Sequence, residues 1–261
     1  MTNGRYSVAN FSTTPVKPLS LTGPATAPDG TAYVVTGPGG ADHFGNSVVA
    51  LGAGLQPKDW YTPTAPIAPI QYVDPVTFAY KGRQLVIAPG ADNSVVVLDA
   101  AALGGADHHT PLAQSASFAK AGSQHGWDGF AVSQDKAGST WIFASVSAPI
   151  TNGGAHGGIV GFQLLDADGK LTLEQRWISK DMINPAKPSI ANGVVVGLAG
   201  GDARTKAQLS VLDAATGTEL FTSQDAISTY TSLSGIAIGD GHVFFTDHNG
   251  VLYSFGVGME H

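Results

Sequence analysis

Side chains suited to acid–base chemistry recur just before short apolar runs of strand composition. They lie in the segments LSLTGP (19–24), QYVDP (71–75), SQHGWDG (123–129), INPAKP (183–188) and STYTSLSG (228–235). The candidate catalytic residues are Asp74, His125, Asp128 and Lys187, and the candidate ligand-binding residues are Tyr72, Trp127 and Tyr230. A histidine, two carboxylates and a lysine around an apolar funnel suit acid–base catalysis or the binding of a polar ligand.

These residues also have a structural interpretation, which stays open on the sequence alone. Asp74 and Asp128 can cap turns through their carboxylates, and Trp127 can fill a junction between packed sheets. Polar side chains also line the axis of any ring of sheets, whether or not the ring has an activity.

A second set of candidates is rich in histidine. GGADH occurs at 39–43 and at 104–108, and GGAH occurs at 153–156. Neutral imidazoles from His43, His156 and His248 could bind Cu²⁺ or Zn²⁺. His43, His156 and His248 follow the second strand of their units, whereas His108 and His109 follow the third strand. Loops after the second and third strands lie at opposite ends of a four-stranded sheet. We therefore favour solvated loop histidines over a shared metal site. DADG (166–169) lacks the downstream glutamate of a calcium loop and predicts a hairpin turn.

The elements that must position these residues come from a hairpin phrase that occurs five times: an apolar run, a tight polar turn and a second apolar run. The copies are ATAPDGTAYVV (25–35), VTFAYKGRQLVIA (76–88), FAVSQDKAGSTWIFA (130–144), SIANGVVVGLA (189–199) and GIAIGDGHVFFTD (235–247). Each is followed by a third strand-like run, and the first four by a fourth run near 59–63, 115–119, 174–179 and 219–223. Such a repeat is typical of a β-propeller.

We therefore predict an all-β protein, a single β-propeller of about five four-stranded antiparallel blades. The predicted blades span 17–65, 69–119, 126–180, 183–227 and 234–261, the last completed by the N-terminal strand RYSVANF (5–11). Closing the ring in this way would remove exposed sheet edges and would give a monomer. The alternative is a fragment of a seven- or eight-bladed propeller.

Composition excludes several classes of partner and site. The 261 residues carry a formal net charge of −7 and no Lys/Arg cluster, which argues against nucleic acid as a partner. There is no cysteine, so disulfides and thiolate metal sites are excluded. The N-terminus lacks the apolar core of a signal peptide, and no run is long enough for a transmembrane helix, so we expect a soluble chain.

The segment LSVLDAATGTELF (209–221) resembles the repeat of pyrroloquinoline-quinone (PQQ) enzymes and their non-catalytic relatives. Their blades carry the pattern Ala-x-Asp-x-x-Thr-Gly-x-x-x-Trp, which matches Val211, Asp213, Thr216, Gly217 and Phe221 here. Weaker copies occur at 47–60, 95–105 and 162–177, with Trp60 and Trp177 at the aromatic position.

The resemblance implies a quinoprotein-like propeller that is periplasmic or secreted. It also implies an oxidoreductase activity on a small polar substrate at the ring axis, with PQQ and Ca²⁺ as cofactors. The chain departs from the catalytic members because it lacks their paired cysteines, its metal ligands do not align, and a five-bladed axis is narrower. The alternative function is a non-catalytic scaffold that binds a protein or glycan through the long loops 37–46, 104–114 and 147–158. The sequence does not identify the substrate, and a small-molecule or carbohydrate ligand is the expected partner.

Overall fold

The computed structural model describes residues 8–12, 23–37, 44–64, 73–119, 126–231 and 235–256. Across these ranges the regular structure is β-strand, with single turns of 3-10 helix at Ala53–Leu55, Ala91–Asn93 and Gly105–Asp107. In this part of the chain, no helix has the length and apolar character needed to cross a membrane.

The strands form five sheets in chain order. The first contains β1 (Ala25–Thr26), β2 (Ala32–Val35), β3 (Val48–Leu51) and β4 (Pro57–Tyr61). The second contains β5 (Val76–Tyr80), β6 (Arg83–Pro89), β7 (Val95–Asp99) and β8 (Ala113–Gln114). The third contains β9 (Gly126–Gln134), β10 (Thr140–Ser147), β11 (Gly158–Ala167) and β12 (Lys170–Ile178). The fourth contains β13 (Ser189–Ala191), β14 (Val194–Ala199), β15 (Gln208–Asp213) and β16 (Glu219–Thr222), and the fifth contains β17 (Ala237–Gly239), β18 (His242–Thr246) and β19 (Leu252–Gly256).

The repeated hairpin phrase forms the first two strands of every sheet, and all neighbouring strands are antiparallel. The turn residues explain why the chain reverses there. Asn192 and Gly193 have φ values of 48° and 79°, and Asp240 and Gly241 have values of 49° and 72°. Two successive positive φ angles match the twist of a two-residue hairpin, and Asn-Gly and Asp-Gly adopt them at low cost. The predicted all-β propeller class is confirmed.

The first strand of each sheet lies at the centre of the molecule. β1 contacts β5, β5 contacts β9, β9 contacts β13, and β13 contacts β17. Clusters of buried apolar side chains fill the spaces between successive sheets, one across the first three, one between the third and fourth, and one between the fourth and fifth. The innermost strands therefore surround a common axis.

Trp177 on β12 joins the third sheet to the fourth. Its indole lies over Gly161 of its own sheet and against Gly217, where a Cβ would lie 2.6 Å from the indole Cδ2. The indole Nε1–H donates a buried hydrogen bond of 3.0 Å to the carbonyl oxygen of Ala214. Asp213 fixes the same turn, because its Oδ1 accepts from the Thr216 amide at 2.8 Å. Asp213 and Gly217, two of the positions that carry the PQQ-repeat resemblance, thus form the turn against which Trp177 of the preceding sheet packs.

The fifth sheet differs from the prediction that residues 5–11 supply its fourth strand. It has three strands among the described residues, and the described part of the predicted strand, residues 8–11, forms none. Val8 is 83% exposed, and the Phe11 ring instead lies 6.2 Å from Phe44 of the first sheet. Residues 5–7 lie outside the described residues. Leu252 on the edge strand β19 is 66% exposed, and no cluster of described buried side chains joins the fifth sheet to the first.

Candidate functional site

The described residues that lead into the innermost strands lie at one end of the sheets. Antiparallel strands reverse direction at each step, so the loop after the second strand and the connection after the fourth also lie at this end. A cavity of about 340 Å³ opens here, lined by residues 23–26, residues 74–77 and Lys187. These residues precede or begin the first strands of the first, second and fourth sheets. The fourth sheet is not next to the first or the second in the order of the sheets, yet its entry residue Lys187 lines the same cavity as theirs. We infer from this that the cavity lies on the axis.

The two walls from the first and second sheets are tied together. The Thr77 hydroxyl donates to the carbonyl oxygen of Thr26 at 3.0 Å, which links β5 to β1. Asp74 precedes Pro75, whose ring restricts the backbone at the entry to β5. One carboxylate oxygen of Asp74 is buried, and the residue as a whole is half-buried at the cavity wall. The cavity lining therefore includes an aspartate on a constrained backbone.

Lys187 reaches the cavity from the connection that precedes β13. Its methylene chain lies along the backbone of Gly129 on β9, where a Cβ would be only 2.6 Å from the lysine Cγ. Gly129 has a φ of 147°, which side chains other than hydrogen rarely allow. The glycine thus gives the lysine stem its path across the third sheet. The residue is exposed overall, so its ammonium group can meet a ligand from solvent.

Asp128, next to that glycine, occupies a different environment. It is the extra residue of a β-bulge, because Gly129 pairs with Ser145 while Trp127 pairs with Val146. Its Oδ2 accepts a hydrogen bond of 2.7 Å from the Ser147 hydroxyl. Burial raises the pKa of Asp128 to about 7, against the smaller opposing effect of the hydrogen bonds from Ser147. The carboxyl group does not line the axial cavity.

The predicted site residues therefore fall into separate groups. Asp74 and Lys187 share the axial cavity, and Asp128, which is half-buried, adjoins Gly129, the residue that the Lys187 stem contacts. Tyr72, His125 and His43 lie outside the described residues, and for Trp127 only the backbone in β9 is described.

Tyr230 stands apart from the axial cavity. Its ring stacks on His248 with centroids 4.3 Å apart, and the His248 amide donates to the Tyr230 carbonyl oxygen at 2.8 Å. This pair links the entry segment of the fifth sheet to the turn before β19.

The histidine loops also separate. His156 Nδ1 lies 2.6 Å from Oδ2 of Asp181, and His108 stacks on Trp60 with ring centroids 3.8 Å apart. The stacking of His108 on Trp60 is possible because the loop after β7 extends to the first sheet. There the Thr62 amide donates a hydrogen bond of 2.8 Å to the His108 carbonyl oxygen. Among the described residues, no three His, Cys, Asp or Glu side chains come together as a metal site.

A second cavity, of about 430 Å³, lies between the third and fourth sheets at the same end and was missed by sequence reasoning. His156 and Asp181 line it together with Arg204 and Lys206. Two cations in the short loop GGDARTK (200–206) of an acidic chain were the available signal. Their proximity to Asp181 follows from the packing of the two sheets.

Comparison with known proteins gives structural likeness only. No family model matches the chain, and no curated protein matches it. Similar solved structures include hydrazine synthase of Kuenenia stuttgartiensis, at 12% identity over 98% of this chain and 70% of that one, with a TM-score of 0.47. The computationally designed Ika4 protein is 14% identical over 69% of this chain and 88% of that one, with a TM-score of 0.44. The endo-arabinase of Bacteroides thetaiotaomicron is 12% identical over 88% and 90% of the two chains, with a TM-score of 0.40.

Proposed function

We propose that this β-propeller binds a small polar ligand in the axial cavity, between the ammonium group of Lys187 and the carboxyl group of Asp74. The observation that carries the proposal is that Lys187 and Asp74 both line one cavity, between the first strands of different sheets. A concave site with a few convergent polar groups is the usual form of a small-ligand site.

The lining indicates the chemistry of the ligand. Lys187 can donate to a carboxylate or hydroxyl oxygen, whereas an ionised Asp74 accepts from a hydroxyl or ammonium group. The Thr26 and Thr77 positions add neutral polar groups at the wall. A volume of about 340 Å³ is at the lower end for ligand pockets, which favours a compact hydroxylated molecule such as a monosaccharide or a hydroxy acid.

Asp128 supports this site indirectly. Its bulge brings Gly129 against the Lys187 stem, and the Ser147 hydrogen bond holds the bulge in place. We assign Asp128 a positioning role for Lys187, because its carboxyl group points into the third sheet rather than lining the cavity. A direct acid–base role, as expected from the sequence, would need the group to contact the ligand.

The described residues do not fit the quinone and calcium that the PQQ resemblance implies. PQQ carries three carboxylates, whereas the axial lining offers one cation, Lys187. Its calcium ion needs several oxygen ligands, and the described residues contain no group of three acidic or metal-binding side chains. The packing of Trp177 on Gly217 supports a resemblance to the PQQ repeat in how neighbouring blades pack together, and not in cofactor binding. We therefore derive no oxidoreductase step and propose ligand binding as the function.

The test is saturation-transfer NMR with a panel of monosaccharides and hydroxy acids, followed by calorimetry for each binder. Lys187→Gln and Asp74→Asn should each weaken binding about tenfold or more, because each removes a charged hydrogen-bonding partner. Lys136→Gln is the matched control, since Lys136 lies in the β9–β10 turn at the opposite end of the sheets.

Two results would contradict the proposal. One is the absence of binding by every member of the panel. The other is binding that Lys187→Gln and Asp74→Asn leave unchanged, which would place the ligand on another surface. Loss of binding only on changing loop 147–158 would favour the scaffold alternative.

A further inference from the structure

The cavity between the third and fourth sheets is built from four segments of the chain. His156 comes from the β10–β11 loop, and Asp181 comes from the connection that follows β12. Residues 204–208 come from the β14–β15 loop and the start of β15, and residues 224–225 follow β16. This cavity shares no lining residue with the axial one, so the two sites are independent.

Backbone hydrogen bonds hold these segments in fixed positions. The Met182 amide donates to the Gly157 carbonyl oxygen at 3.2 Å, and the Gly201 amide donates to Ile183 at 3.0 Å. The Asn184 side chain adds a bond of 2.8 Å from Nδ2 to the Gly201 carbonyl oxygen. The connection between β12 and β13 is thus hydrogen-bonded both to the β10–β11 loop and to the β14–β15 loop. A ligand would meet a preformed surface, which lowers the cost of binding.

Asp181 orients His156 within this surface. Its Oδ2 accepts from the imidazole Nδ1–H at 2.6 Å, and its Oδ1 accepts from the His156 amide at 2.8 Å and the Gly157 amide at 3.3 Å. Burial acts to raise the pKa of Asp181, but the hydrogen bonds from His156 and Gly157 outweigh it and lower the pKa. The carboxylate is therefore ionised and engaged, and Nε2 is the imidazole nitrogen left to face a ligand.

Arg204 and Lys206 supply the positive charge. Neither takes part in any ion pair among the described residues, and both are exposed at the cavity. The Arg204 amide donates to Oδ1 of Asp202 at 2.8 Å, so the loop that carries the guanidinium group is itself fixed. Asp181 and Asp225 are the carboxylates of the described lining, and Asp181 is already occupied by His156.

We propose that this cavity binds a phosphate monoester, with its oxygens held by the guanidinium group of Arg204 and the ammonium group of Lys206, and with Nε2 of His156 facing the ligand. Two cationic groups on one fixed loop, with the His156 imidazole on a second loop beside them, suit a tetrahedral group with three terminal oxygens. A planar carboxylate would use the guanidinium fork alone. A dianion also matches the two cationic side chains, Arg204 and Lys206, which have no ion-pair partner among the described residues. Thr205, Gln208 and Gln224 would hydrogen-bond the remainder of the ligand.

The experiment measures binding of inorganic phosphate and of phenyl phosphate by calorimetry at constant ionic strength. The double variant Arg204→Gln/Lys206→Gln should weaken binding of both about tenfold or more, and His156→Gln should weaken it to a smaller extent. The control is the double variant Lys136→Gln/Lys170→Gln, which removes the same charge from the β9–β10 turn and from the start of β12, at the other end of the sheets. All these positions are exposed, so the variants should fold.

Several outcomes would overturn the assignment. Binding that is not saturable, or that the control weakens as much as the cavity variant, would show a general charge effect. Binding unchanged in the Arg204→Gln/Lys206→Gln variant would place phosphate elsewhere. Succinate bound more tightly than phosphate would identify a carboxylate site instead. Saturable phosphate binding that is lost only in the cavity variants supports the proposal.

Discussion

Asp128→Asn should make the protein more stable at high pH while leaving it nearly unchanged at low pH. The pKa of Asp128 in the folded protein is raised from 3.8 to about 7 by burial. A raised carboxyl pKa means that the folded state binds the proton more tightly than the unfolded state. The stability linked to this proton is fully present below the unfolded pKa and is lost as the pH rises through about 7.

The magnitude follows from the same values. Three pH units between the folded and unfolded pKa values correspond to about 4 kcal/mol of stability. About two of these pH units, from pH 5 to about pH 7, lie within the range of pH 5 to pH 8. Over that range the free energy of unfolding of Asp128→Asn should therefore rise relative to wild type by about 3 kcal/mol. The asparagine is nearly isosteric and can still accept a hydrogen bond from Ser147, so packing changes little.

The assay is urea unfolding of wild type and Asp128→Asn at pH 5, 6.5 and 8. Asp168→Asn serves as the control, because Asp168 lies in the exposed β11–β12 turn with a φ of 53° that asparagine also adopts. A stability difference between Asp128→Asn and wild type that is the same at all three pH values would refute the reasoning, as would equal pH dependence in the control.

Two further predictions concern the junction of the third and fourth sheets. Trp177→Phe should lower the free energy of unfolding by about 2–3 kcal/mol, since it removes a buried hydrogen bond and part of the indole packing. Urea unfolding should show a smaller loss for Trp141→Phe, because the Trp141 Nε1 makes a longer hydrogen bond of 3.3 Å. Gly217→Ala should destabilise more than Gly193→Ala by about 1–3 kcal/mol, because both glycines have positive φ but only the Cβ at Gly217 would meet Trp177. Equal thermal shifts for the two alanine variants would show that the indole moves aside freely.

The repeated hairpins were predictable because each carries its own turn chemistry. Asn192-Gly193 and Asp240-Gly241 specify a reversal locally, and the apolar runs on either side are too short for anything but strands. The closing strand at 5–11 was a different kind of prediction, since it paired distant segments on composition alone. Phe11 instead lies beside Phe44, and no local signal in the sequence distinguishes these two partners.

The site was predictable to the extent that it depends on strand order. Asp74 and Lys187 both precede innermost strands, so antiparallel geometry brings them to one end of the axis. The environment of Asp128 was not predictable, because a bulge decides whether its carboxyl group caps a turn or accepts a hydrogen bond from Ser147. The contact of His156 with Asp181 joins residues 25 positions apart through the packing of loops, which single-sequence patterns do not encode.

A crystal structure of the protein with the tightest-binding member of the monosaccharide and hydroxy-acid panel tests the central claim most directly. The account predicts the ligand in the axial cavity, with its polar groups at 2.7–3.2 Å from Nζ of Lys187 and from the carboxylate of Asp74. A ligand seated outside residues 23–26, residues 74–77 and Lys187 would contradict it.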